Sequence, residues 1–99
     1  ELFAWFLDKL ESTPDGGGTL LDHSLFLYGA SLSNPNLHAH YDLPLSLVGG
    51  AAGALAGNRH LKFPAETPMT NLLLALLDKV GVPTESLGDS TGPLKEILA

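Results

Sequence analysis

Apolar residues recur at helical spacing from the start of the chain. Leu2, Phe3, Phe6, Leu7 and Leu10 fall on one side of a helix predicted over residues 2–12, with Asp8, Lys9 and Glu11 on the other. Pro14-Asp15-Gly16-Gly17-Gly18 breaks that period and predicts a flexible loop. Ser24-Leu25-Phe26-Leu27-Tyr28 is then a short continuous apolar run closed by Gly29. Its length and flanks predict a buried strand, of the kind found in parallel sheets. Residues 29–42 are polar and rich in turn formers. Leu43-Pro44-Leu45-Ser46-Leu47-Val48 predicts a second strand, with Pro44 at its start or on an edge because proline cannot donate a ladder bond.

The Gly/Ala stretch from Gly49 to Gly57 predicts a tight loop over the end of a strand, and Leu61-Lys62-Phe63 a short extended piece. The clearest element follows. Thr67 is placed to cap a helix and Pro68 to begin it, and Leu72, Leu73, Leu76, Leu77 and Val80 form its apolar stripe. Lys79 in the last turn favours the helix dipole. Gly81 suits the left-handed stop, and Pro83 prevents resumption. Thr84 to Thr91 reads as a polar loop, and Pro93 to Leu98 as one last helical turn.

The predicted order is therefore helix, strand, loop, strand, loop, helix. Two strands do not make a stable sheet alone, and both look too apolar for an exposed face. The rest of the sheet is expected to lie elsewhere. Glu1 in place of Met, with the apolar period beginning at once, adds the expectation of a chain cut from a longer precursor. The 99 residues are enough for one small domain.

Composition narrows the chemistry. No cysteine is present, which removes disulfides and thiolate chemistry. Eleven acidic against five basic residues leave no basic stripe for nucleic acid. No apolar run approaches the roughly 20 residues that span a bilayer, and no signal peptide is visible from Glu1 onward.

Candidate chemistry gathers in two segments. In His38-Ala39-His40-Tyr41-Asp42, an extended chain places His38, His40 and Asp42 on one face, where two imidazoles and a carboxylate suit a divalent cation. The plainer reading is a solvated polar loop. The same residues match part of the His-x-His-x-Asp-His signature of metallo-β-lactamase-like hydrolases, but Leu43 stands where that signature has a further histidine. In Asn58-Arg59-His60, Arg59 offers a fork of donors to an anion and His60 a ligand or proton carrier; the plainer reading is an ordinary surface loop. The glycine stretch lacks Gly-Lys-Ser/Thr and Gly-x-Gly-x-x-Gly, so it is no phosphate loop. Asp22, His23 and Ser31 form no recognisable triad, and Ser31 is not in a Gly-x-Ser-x-Gly elbow.

The order of segments is similar to the C-terminal part of an alkaline-phosphatase- or sulfatase-like domain: an entry through Leu20-Leu21-Asp22-His23 into a buried strand, a histidine-bearing loop, a second strand, then a Thr-Pro-initiated helix ending in Gly-Val-Pro. More closely, the chain resembles the HXXSHH family of bacterial proteins of unknown function. The residues that carry this are Leu27-Tyr28-Gly29, Asn36 through Pro44, Gly49-Gly50, Gly57 through Leu61, Glu66-Thr67-Pro68 and Gly88 through Leu94. The resemblance covers nearly the whole chain. It implies an α/β fold, residues 1–99 being the C-terminal fragment of a larger three-layer α/β/α sandwich, in a secreted or periplasmic protein.

For function, the superfamily resemblance implies a phosphate- or sulfate-ester hydrolase with a metal-dependent site, the metal being zinc, manganese or calcium. His38, His40 and Asp42 are then the candidate ligands, and Arg59 and His60 the candidates to face an anionic substrate. One departure matters. Sulfatases carry Asp-His-Gly after the buried strand, and here Gly29-Ala30-Ser31 follows Tyr28. The alternative is therefore a non-catalytic extracytoplasmic binding or assembly protein that kept the fold. The expected partner is the remainder of its own larger domain, with self-association through open sheet edges if the chain stands alone. A third reading, an autonomous small α/β domain, predicts cooperative unfolding of residues 1–99 by themselves.

Overall fold

The computed structural model describes residues 1–98. Helix α1 (Leu2–Glu11) is followed by strands β1 (Pro14–Asp15) and β2 (Gly18–Thr19), then β3 (Phe26–Gly29) and β4 (Leu45–Val48). A 3-10 turn at Ala51–Gly53 leads towards helices α2 (Met69–Lys79) and α3 (Lys95–Leu98). The class is mixed α/β, as the alternation of periods predicts.

The strands pair as two separate two-stranded sheets, both antiparallel. The first corrects the expectation of a flexible loop at residues 14–18. Pro14 pairs with Thr19 and Asp15 with Gly18, and Gly16-Gly17 forms the tip. The ladder continues through Leu20 N–H to Thr13 O at 3.0 Å. A glycine run is as able to make a tight hairpin as a mobile loop, and here the flanking pairs close it.

The second sheet corrects the expectation of parallel strands. Phe26 pairs with Val48, Leu27 with Leu47, Tyr28 with Ser46 and Gly29 with Leu45. The apolar runs are nonetheless accounted for, because each face meets a helix. On one face Phe3 of α1 stacks on Tyr28, with centroids 4.3 Å apart, and Phe6 meets Phe26 edge-on at 5.4 Å. On the other, Leu45 and Leu47 pack against the core of Leu72, Ala75 and Ile97. The cover on β3 is partial, however: Leu27 and Tyr28 remain 38% and 55% exposed, so this strand is not buried as its apolar run predicts.

The glycine stretch is the predicted tight loop. Gly49, at φ +114°, lies against the carbonyl of Ser24, an approach that any side chain at 49 would block. The N–H groups of Gly50, Ala51 and Ala52 donate to Leu21, Ser24 and Asp22 carbonyls at 2.9–3.0 Å, tying this loop to the entry of β3.

Helix α2 begins at Met69. Thr67 does not cap it; its hydroxyl donates to Pro64 O at 2.6 Å, and Pro68 holds the cap position with no side-chain bond. Asn71, Leu72, Leu74 and Ala75 are buried; of the expected stripe only Leu72 is among them, Leu73, Leu76 and Leu77 being half-buried and Val80, beyond the last turn, exposed. Gly81 takes up the left-handed conformation predicted for it (φ +84°). Residues 61–63, expected to be extended, join no sheet. The segment 88–94 folds back on α2 through Asn71. The Asn71 side chain accepts from Thr91 N–H at 2.8 Å and donates to Thr91 Oγ1 at 3.0 Å, and its carbonyl accepts from Leu94 N–H at 3.2 Å. No helix among the described residues is long and apolar enough to cross a membrane.

Candidate functional site

The loop between β3 and β4 is not an extended run. His38 and Asp42 both adopt left-handed backbone (φ 51° and 53°), and an isolated bridge pairs Asn34 with Ala39. Asn34 organises the turn, its Oδ1 accepting from the N–H groups of Asn36 and Leu37. Ala39 is buried beneath it. The alternation that would place His38, His40 and Asp42 on one face is broken at both ends. Among the described residues no three His, Asp or Glu side chains come together as a metal-binding group.

A different grouping replaces it. His40, Tyr41 and Asp42 line a broad cleft of about 2000 Å³, and Asn58, Arg59 and His60 line the same cleft. The two segments singled out by sequence thus border the same concavity, and His38 does not. Both loops carry left-handed non-glycine residues, Asp42 on one side and Asn58 (φ 56°) and Glu66 (φ 64°) on the other. Such conformations cost free energy and concentrate where a fold positions functional groups. The side chains of His38, His40, Asp42 and His60 are exposed and make no hydrogen bond or ion pair among the described residues, so their donor atoms are free for a ligand.

Arg59 has a structural duty. Its Nε donates to Ala56 O at 3.2 Å and its Nη1 to Glu96 O at 2.7 Å. Two of about five guanidinium N–H donors are engaged, and the rest of the fork remains for an anion. Lys79 Nζ donates to Leu98 O at 3.0 Å, so two cations hold the carbonyls of α3. Through Arg59, the loop bearing His60 is anchored to the helical pair.

The chemistry of the donor set suits a divalent cation, but its number does not. A closed site takes about four ligands, and a catalytic one about three from protein. His40 and Asp42 are the two that reach the cleft from their loop. The described residues do not by themselves complete a metal centre.

Sequence reasoning passed over Tyr41 and Asn58 as cleft residues, and also the contact of His23 Nδ1 with Asp15 Oδ2 at 2.8 Å. That pair braces the β1–β2 hairpin against the turn in which Thr19 and Asp22 exchange hydrogen bonds, Thr19 N–H to Asp22 Oδ2 and Asp22 N–H to Thr19 Oγ1. The Thr-x-x-Asp spacing was the signal available for it. No family model, curated protein or solved structure matches the chain.

Proposed function

We propose that residues 1–99 form the C-terminal part of a larger alkaline-phosphatase-like domain, of the HXXSHH family, in a secreted or periplasmic phosphate- or sulfate-ester hydrolase-like protein. The observation that carries this reading is that His40, Asp42, Arg59 and His60 all line one broad cleft. Imidazole and carboxylate suit a cation, and a guanidinium with further donors suits the ester's anionic oxygens. Helices on both faces of β3 and β4 support the three-layer α/β/α architecture. In this reading the chain contributes part of the ligand set, and the rest comes from the remainder of the domain.

A second reading rests on a specific observation. No three-ligand group forms among the described residues, and Gly29-Ala30-Ser31 stands where sulfatases carry ligands. A protein that kept the fold as an extracytoplasmic binding or assembly component accounts for both.

Elemental mass spectrometry of the intact protein, with a His38→Ala/His40→Ala double variant, separates the two. Stoichiometric zinc, manganese or calcium that is lost in the variant is the expected result for the hydrolase. Absence of bound metal from the intact wild-type protein would refute the metal-dependent hydrolase and favour the binding reading.

A further inference from the structure

The register of β3 and β4 determines which backbone groups are spoken for. Ala30 N–H donates to Pro44 O, which makes Ala30 and Pro44 a hydrogen-bonded pair. In an antiparallel ladder such pairs alternate with non-bonded ones. Tyr28 with Ser46 and Phe26 with Val48 are then also bonded pairs. The N–H and C=O groups of Leu45 and Leu47 therefore point away from β3, along the outer edge of β4. Their side chains meanwhile lie in the core against α2 and α3.

That edge opens into the cleft. Leu45, Leu47, Val48, Leu61, Phe63 and Leu72 are among its lining residues, with Arg59 and His60. The edge carries none of the devices that protect a free edge, such as lysine or an inward charge, apart from Pro44 before its first residue.

The whole chain carries the same signature. Its accessible surface is 6975 Å², against about 5,400 Å² for a compact monomer of its mass. The excess is about twice the ~800 Å² that one partner contributes to a stable interface. Its radius of gyration is 14.8 Å, against about 12.6 Å for a compact chain of this length. A second copy is a poor occupant. Each chain carries a formal charge of −6, which opposes the close approach of two copies.

We propose that the outer edge of β4 receives an added β-strand, apolar on both faces, contributed by the remainder of the proposed larger domain. The strand bonds to Leu45 and Leu47 and covers the open side of the Leu72–Ala75–Ile97 core. This rests on the larger-domain reading and adds which edge is used and by which amides.

Amide hydrogen exchange on the intact protein as its source makes it tests the idea. The Leu45 and Leu47 amides are expected to exchange at least ~100-fold more slowly than in an unstructured peptide, matching Tyr28 and Ser46. Fast exchange at Leu45 and Leu47 beside slow exchange at Tyr28 and Ser46 overturns the added strand and leaves the larger domain standing. An intact mass equal to that of residues 1–99 overturns both. Protection that appears only as protein concentration is raised shows self-pairing and also overturns the proposal.

Discussion

Asn71 is the buried polar side chain of α2, and the substitution Asn71→Ala isolates what it does. It is 7% exposed and makes two side-chain hydrogen bonds, both to Thr91. Each such bond is worth about 0.5–1.5 kcal/mol net, so their loss costs about 1–3 kcal/mol. Thr91 is exposed, and water can satisfy its freed groups, so no further desolvation penalty is added. Alanine's better helix propensity returns up to about 0.7 kcal/mol. The expected net loss is about 1–2 kcal/mol, read from urea unfolding followed by far-ultraviolet circular dichroism. Amide exchange makes the test local. Thr91 N–H loses its acceptor in the variant, whereas Leu94 N–H still reaches the Asn71 main-chain carbonyl, which alanine retains. Thr91 should speed up while Leu94 stays slow. A double-mutant cycle with Thr91→Val should show coupling of about 0.5–1.5 kcal/mol. A loss under about 0.5 kcal/mol, or equal acceleration at both amides, refutes the view that the side chain clamps this segment.

Two further substitutions probe the frame around the strands. Gly49→Ala introduces a side chain at φ +114° against the Ser24 carbonyl, and thermal unfolding should show a loss of about 2 kcal/mol or more; an unchanged melting temperature would falsify the close approach. His23→Ala removes the contact with the Asp15 carboxylate, whose partners are 40% and 48% exposed, and urea unfolding should show a loss under about 1 kcal/mol. A larger loss there would mean that the hairpin is held by more than this pair.

The two long helices and both longer strands were legible because each rests on a local signal: a 3.6-residue apolar stripe in α1 and α2, and a short apolar run between turn formers in β3 and β4. Strand direction was not. A short apolar run reads the same in a parallel and an antiparallel sheet, and only long-range pairing decides it. The β1–β2 hairpin escaped because its strands are two residues each, too short to show a period. Thr67 was misjudged because its hydroxyl has a competing acceptor in Pro64 O, a choice that the spacing does not reveal. At the candidate site, the residue types were legible and their grouping was not. His38 and His40 look equivalent in sequence, and the left-handed turns at 38 and 42 separate them.

The cleft is lined by residues of the β3–β4 sheet and of the helical pair. His40 and Asp42 precede β4 directly, so their wall is fixed by the ladder to β3. Asn58 and His60 flank Arg59, whose bond to Glu96 O fixes their wall to α3 and, through Ile97 and Leu94, to α2. Leu45 and Leu47 pack against that helical core with their side chains, but the outer amides of β4 make no backbone hydrogen bond among the described residues. A strand bonded to those amides and packed on Leu72 would touch both walls at once. Covering the core and fixing the distance between His40–Asp42 and Arg59–His60 are then one event. Ligand binding at the cleft mouth should accordingly depend on the added strand even though none of the named side chains needs to contact it.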